Sequence, residues 1–190
     1  MRIIMGIDPG LANTGFGVVR VAGSRMTAID GGTIEVAAGA PAEQRLQTIH
    51  ESLSELIEWH APESVALESI YFGRNVRSAM AVGQARGVIM LAVAARGLAC
   101  FDYTPQAVKL AVCGSGAAAK DQVKHMVGVL LGLPVAPPSD HAADALAVAI
   151  CHAAHLQGSA AALRAQEPPG VPGPPAVRVA PSAPQRVAIQ

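Results

Sequence analysis

Arg2-Ile3-Ile4-Met5-Gly6-Ile7-Asp8-Pro9-Gly10, followed by Thr14-Gly15-Phe16-Gly17-Val18-Val19-Arg20-Val21, is the stretch whose reading decides the architecture. The first run is apolar and β-branched and ends in an acid before a Pro-Gly turn, so it reads as a buried strand stopping at Asp8. The chain resumes an extended pattern from Thr14 to Val21. A third extended stretch, Arg25 to Val36, is interrupted by Gly31-Gly32, where a hairpin or bulge is expected. Three strands in succession with short connections predict an antiparallel meander.

Downstream the apolar period lengthens. Between Pro41 and Trp59 the apolar residues fall at Leu46, Ile49, Leu53, Leu56 and Ile57, a helical stripe. Pro41 suits a first turn, and Pro62 follows the end. Ser64 to Glu68 reads as a strand ending in a carboxylate, and Arg77 to Ala95 as a second helix. In that helix Gly83 and Gly87 are points where another backbone is expected to come close. Ala99 to Tyr103 is a fifth strand, and Thr104 caps a helix beginning at Pro105 that Gly114-Ser115-Gly116 ends. Lys120 to Leu131 forms another helix, and Ser139 or Asp140 caps a last one reaching about Leu156. A meander followed by crossovers implies an α/β fold: one mixed five-stranded sheet with helices on both faces. The expected domain is 1–157. From 158 to 190 the composition turns to Pro, Ala and Val without periodicity, which predicts a disordered tail.

The bulk composition bounds the possibilities. The chain has 190 residues, 51% of them hydrophobic but only 3% aromatic, enough for one core built largely from Ala, Val, Leu and Ile. Cys100, Cys113 and Cys151 make neither a disulfide framework nor a zinc spacing, so a reducing, cytoplasmic setting is expected. The longest apolar run, Gly87 to Ala95, is far short of the roughly 20 residues of a membrane span. Formal net charge is zero, yet it is unevenly spread. From Met26 to Glu68 eight acids face one base, Arg45. From Tyr71 to Leu130, seven bases (Arg74, Arg77, Arg86, Arg96, Lys109, Lys120 and Lys124) face Asp102 and Asp121. A neutral total is therefore compatible with a basic, phosphate-binding face.

The candidate chemistry lies in carboxylates at element ends. Asp8, before a proline, is biased to extended geometry, so its side chain should leave the sheet edge; the alternative is an Asx turn closing the Pro-Gly corner. Glu68 ends a second apolar strand and needs a hydrogen-bond or metal partner if buried. Two such acids on neighbouring strand ends repel unless a cation sits between them. In Ser139-Asp140-His141-Ala142-Ala143-Asp144, His141 and Asp144 are three residues apart and share a helix face, and the alanines let that helix approach the sheet. Asp140 fits an N-cap better than a ligand. Carboxylate oxygens with one imidazole favour Mg²⁺ or Mn²⁺, the His inclining toward Mn²⁺.

Gly6-Ile7-Asp8-Pro9-Gly10 with Thr14-Gly15-Phe16-Gly17 resembles the start of the RuvC Holliday-junction resolvases. Ala66-Leu67-Glu68, Gly83-Gln84-Ala85-Arg86-Gly87 and Asp144-Ala145-Leu146-Ala147 extend the resemblance, which runs from about Arg2 to His155. It implies a ribonuclease H-like fold, a homodimer, and a structure-selective endonuclease cutting four-way DNA junctions with two Mg²⁺ or Mn²⁺ ions per site. The family's acidic tetrad falls on Asp8, Glu68, His141 and Asp144, His141 departing from the more usual Asp. The resemblance makes Asp8 the bridging ligand, Glu68 a ligand of one metal and Asp144 with His141 ligands of the other. It also sets Lys109 and Lys120 near the scissile strand and Tyr71 at the junction centre. Tyr71 with Arg74, Asn75 and Arg77 suits stacking beside phosphate contacts. The branch-migration proteins RuvA and RuvB are implied partners. Three rival readings stand beside this one. An actin-like ATPase would need a second domain for which 190 residues leave no room. A RuvX-like nuclease should lack the Asp144-Ala145-Leu146-Ala147 segment. A junction-binding protein without catalysis has no use for a full set of ligands.

Overall fold

The computed structural model describes residues 1–37, 39–69, 76–135, 137 and 139–166. Its elements are β1 (Arg2–Asp8), β2 (Asn13–Ala22), β3 (Arg25–Glu35), α1 (Ala42–His60), β4 (Ser64–Glu68), α2 (Val76–Ala95), β5 (Ala99–Tyr103), α3 (Pro105–Cys113), α4 (Lys120–Leu131) and α5 (Asp140–Gln166). The five strands form one sheet in the order β3-β2-β1-β4-β5. The first three pair antiparallel, as the short connections require, and β4 and β5 add in parallel after helical crossovers. This is the expected α/β arrangement.

Strand alternation sorts side chains to two cores. Met5, Ile7, Val18, Val65 and Leu67 pack with Ile49, Leu53 and Ile57 of α1 and Ala85, Ile89 and Val93 of α2. Ile4, Val19, Val21 and Ala66 face the other way, toward α3, α4 and α5. The second core has α5 at its centre, and there the chain uses small residues: Ala142, Ala143, Ala145, Ala147, Ala149 and Ala153 are all buried.

The sheet is equally small beneath this helix. A Cβ on Gly6 would stand 2.1 Å from the Ala145 carbonyl oxygen, one on Gly15 2.1 Å from that of His141, and one on Gly17 2.7 Å from Leu146 N. At Gly6 and Gly15 the glycines set the helix directly on the strand backbone, and at Gly17 the Leu146 side chain and backbone both fill the space a Cβ would take. A buried polar relay also holds α5. His152 Nε2 pairs with Ser64 Oγ at 2.9 Å and its Nδ1 with the Tyr103 hydroxyl at 2.8 Å, tying the helix to β4 and β5. Burial, then the charges of His155 and Arg2, push His152 down to about 4, so the imidazole is neutral at pH 7.

Several local expectations are refined. Of the two alternatives at Gly31-Gly32 the bulge is found and the hairpin is not, the β2–β3 register slipping between Val18 and Val19 with Ile29, two residues upstream, as the extra residue. Gly32 serves instead to admit the Phe16 ring, 2.9 Å from where its Cβ would be. At Gly83 and Gly87 nothing among the described residues of this chain lies within 4 Å of a Cβ, which leaves the expected approach of another backbone untested within one chain. The last helix continues to Gln166, ten residues past Leu156, because no proline interrupts the Ala-rich chain before Pro168. Residues 158–166 of the expected tail are thus helical, and 167–190 lie outside the described residues.

Candidate active site

The register of β1 and β4 creates the site. Ile7 pairs with Leu67 in the parallel ladder, so Asp8 and Glu68 occupy the next rung at the C-terminal ends of adjacent strands. Both have the parity of Gly6 and Ala66, the residues that face α5. On β2, Asp8 is opposite Gly15, over which the His141 carbonyl lies. The first turn of α5 is therefore set above Asp8, and its i, i+3 pair points at the strand ends.

His141 Nδ1 meets Asp8 Oδ2 at 2.9 Å. Asp144 is held by Lys120, whose Nζ lies 3.2 Å from Asp144 Oδ2 and 3.5 Å from Asp140 Oδ2. Glu68, Lys109, Lys120 and Asp144 line one cavity of about 210 Å³ with Pro105, Val108, Val123 and Ala147. The structure thus brings six of the expected site residues together: Asp8, Glu68, His141, Asp144, Lys109 and Lys120. Tyr71, Arg74 and Asn75 lie outside the described residues; Arg77 sits in the first turn of α2, and its side chain is outside the description.

The carboxylates are crowded and poorly solvated. Burial first, then the Asp8 and Asp144 charges, push Glu68 up to about 7, against a smaller opposing effect of Lys120 and Lys109. Asp8 is raised for the same leading reason, burial, which the hydrogen bond from His141 only partly offsets. Burial of Lys120 works against its charge, but Asp144 and Asp140 outweigh it and raise its pKa. Among the described residues no three His, Cys, Asp or Glu side chains already surround one point as metal ligands. The donor set still suits a hard divalent cation: hard oxygen donors under mutual repulsion, an imidazole beside them, and a lysine ammonium on Asp144.

Some expectations change in detail. No Asx turn closes the Pro-Gly corner; the fully buried Thr14 does so by donating from Oγ1 to the Gly10 carbonyl at 2.6 Å. The α5 cap is Ser139, whose Oγ accepts from Ala142 N–H at 3.0 Å and pairs with Thr33 Oγ1 at 2.7 Å. Asp140 is the first helical residue and pairs with Lys124 at 2.9 Å. The basic stretch is only partly a basic face: Arg86 pairs with Asp102, and Arg96 with Glu58.

Two positioning residues escaped the sequence reading. Arg86 donates from Nη1 to the Glu68 carbonyl at 3.0 Å while pairing with Asp102, so it fixes the strand end that presents Glu68. Its signal was the arginine within Gly83-Gln84-Ala85-Arg86-Gly87. Arg45, the lone base in the acidic block, donates to the Leu11 carbonyl at 2.9 Å and braces the loop behind Asp8. That isolation among acids was the only hint.

A family model described as "Crossover junction endodeoxyribonuclease RuvC" matches residues 4–152, covering both strand ends and the first turns of α5. The chain belongs to the RuvC family. It is 52% identical over 153 residues to the crossover junction endodeoxyribonuclease RuvC of Pelotomaculum thermopropionicum, an alignment covering 80% of this chain and 93% of that relative. The solved structure of Thermus thermophilus RuvC in complex with a Holliday junction substrate superposes with a TM-score of 0.80 at 36% identity, covering 84% of this chain and 97% of that one. The yeast mitochondrial Holliday junction resolvase Ydc2, 11% identical with a TM-score of 0.58 and covering 84% of this chain and 85% of its own, shares the fold. Membership of the RuvC family establishes the ribonuclease H-like fold and displaces the RuvX-like reading. For a RuvC-family chain, the five strands and the acid-bearing strand ends are the parts the sequence motifs had marked.

Proposed function

We propose that this chain is a structure-selective, metal-dependent endodeoxyribonuclease. It resolves four-way DNA junctions in recombination and repair by paired symmetric nicks. The observation that carries this reading is the convergence of Asp8, Glu68, His141 and Asp144 from three separate elements onto one sheet edge, beside Lys109 and Lys120. A junction-binding protein without catalysis would have no reason to hold Asp8 and Glu68 where burial and mutual repulsion oppose their ionisation.

Asp8, Glu68, His141 and Asp144 would hold two Mg²⁺ or Mn²⁺ ions, which when bound acidify a water and neutralise charge on the departing oxygen. Asp8 orients the His141 ring through Nδ1, which leaves Nε2 as the ring nitrogen available to a metal. Glu68 is half protonated near neutrality in the protein alone, and a cation draws it to the ionised form. Lys109 and Lys120, on the wall of the same cavity, hold the phosphate and offset its charge during attack. Cleavage leaves a 5′-phosphate and a 3′-hydroxyl. Tyr71, Arg74 and Asn75, between β4 and α2 in sequence, and Arg77 in the first turn of α2 follow Glu68 along the chain and are assigned to the DNA near the junction centre.

Two symmetric nicks call for two sites related by a two-fold axis. Met80 and Leu91 on α2 are exposed apolar side chains, and Gly83 and Gly87 between them leave open space. This face is assigned to a second copy, the approaching backbone being the partner's. RuvA and RuvB are the expected partners, and the cytoplasm the expected setting. No helix among the described residues is long and apolar enough to cross a membrane.

The deciding experiment is Asp8→Asn, assayed on a labelled mobile junction with Mg²⁺ and with Mn²⁺. Loss of both nicks with junction binding retained is expected. Undiminished cleavage by this variant overturns the assignment.

A further inference from the structure

Apart from Glu68, the acids of the block from Met26 to Glu68 are not used by the site, and the fold gathers three of them, Asp30, Glu35 and Glu55, on one flank. β3 is an edge strand, and a groove of about 450 Å³ runs between it and α1. Its walls carry the carboxylates of Asp30, Glu35 and Glu55, with Leu56 and Trp59 between them. Trp59 is 85% exposed, an unusual position for the largest apolar side chain of a small domain. Asp30 is engaged by His60 at 2.9 Å, whereas Glu35 and Glu55 enter no ion pair among the described residues. The negative charge makes the flank unsuited to DNA. An open strand edge beside an exposed ring is a surface that calls for a cover.

We propose that the chain's own C-terminal segment, residues 167–190, docks in this groove. Its chemistry is complementary. Arg178 and Arg186 stand against a single acid, Glu167, and both are flanked by apolar residues, in Val177-Arg178-Val179 and Arg186-Val187-Ala188-Ile189. The arginines match Glu35 and Glu55 and can stack on the Trp59 face, while the valines and prolines suit Leu56 and the ring. The geometry permits it. Gln157 donates from Nε2 to the Gly23 carbonyl at 3.0 Å, so α5 leaves the fold beside the β2–β3 turn, where β3 begins. From Gln157 to Gln166 the helix rises roughly 14 Å, and 24 further residues at about 3.1 Å each reach some 75 Å, ample to return along β3. The RuvC family match ends at residue 152, before this segment begins.

Trp59 is the chain's single tryptophan, and its fluorescence therefore reports on the groove alone. The full chain is compared with R178E/R186E, with E35K/E55K, and with a chain ending at Gln166 to which a synthetic 167–190 peptide is then added. Docking predicts a shift of Trp59 emission to longer wavelength and a larger acrylamide quenching constant in the arginine variant and in the shortened chain. The peptide should reverse the change in the shortened chain but not in E35K/E55K, and junction cleavage should be unaltered throughout. Superimposable emission and quenching for the full, charge-reversed and shortened chains would overturn the proposal. So would an effect that vanishes on dilution of the full chain, which would assign the groove to another molecule.

Discussion

Replacing Gly15 by Ala adds one methyl group, on β2, outside the set of candidate ligands. The new Cβ would stand 2.1 Å from the His141 carbonyl oxygen and 2.6 Å from its carbon, where ordinary contact begins near 3.4 Å. The obstacle is backbone on both sides, so no rotamer relieves it; the first turn of α5 must retreat by more than 1 Å. Overpacking of this kind costs about 1–3 kcal/mol. The retreat also carries His141 away from Asp8 and Asp144 from the cavity it shares with Glu68. A displacement of about 1 Å at a catalytic centre lowers turnover on the order of 100-fold. Gly15→Ala is therefore expected to lose cleavage out of proportion to stability, with the denaturation midpoint modestly lowered and junction binding kept. Gly128→Ala is the matched control: it lies inside α4 with nothing within 4 Å of its Cβ, and should add about 0.5–1 kcal/mol. Urea titration and single-turnover cleavage measure the two effects. If Gly15→Ala cleaves at the parental rate, the claim that direct helix-on-backbone seating positions the site is wrong.

Two further outcomes follow from the electrostatics and the strand-end contacts. Glu68 has its folded pKa raised from 4.5 to about 7, so its ionisation opposes folding: metal-free protein should be most stable below pH 4.5 as far as this group is concerned, and lose that contribution as pH rises through 7. Thermal unfolding in chelator from pH 5 to 8 should show this fall, Glu68→Gln should flatten it, and added Mn²⁺ should reverse it; a Glu68→Gln profile parallel to the parent would refute it. Arg86→Lys keeps a charge but loses the fork that bonds the Glu68 carbonyl and Asp102 together. It should raise the metal concentration needed for half-maximal cleavage while leaving junction affinity intact, and an unchanged metal dependence would remove Arg86 from the positioning of Glu68.

Much of the fold was legible because its signals are local. Strands β1, β4 and β5 begin and end where the apolar runs do, and the helices α3 and α4 stop at glycines, Gly114 and Gly132, that adopt the left-handed conformation. Asp8 and Glu68 could be picked out because each terminates an apolar run. The misjudged features depend on what lies across the chain. A glycine in sequence carries no record of whether its missing Cβ makes room for a helix (Gly15) or for an aromatic ring (Gly32). Ser139 and Asp140 are equally good caps by residue type; the choice fell to Ser139 because Thr33 on β3 engages it and Lys124 draws Asp140 away.

The sequence by itself determined the two periodicities, the order of strands and helices, and the residue types able to bind a hard cation, since these follow from spacing and chemistry along the chain. Tertiary structure alone decided that Glu68 falls on the rung beside Asp8, that α5 seats on bare backbone so that His141 reaches Asp8, and that Arg86 secures the end of β4. It also decided that Asp30, Glu35 and Glu55 of the acidic block meet beside Trp59 on the β3 edge, while Glu68 of the same block enters the site. Register, close approach and electrostatic crowding are properties of pairs of segments remote in sequence, and they acquire values only when the chain has folded.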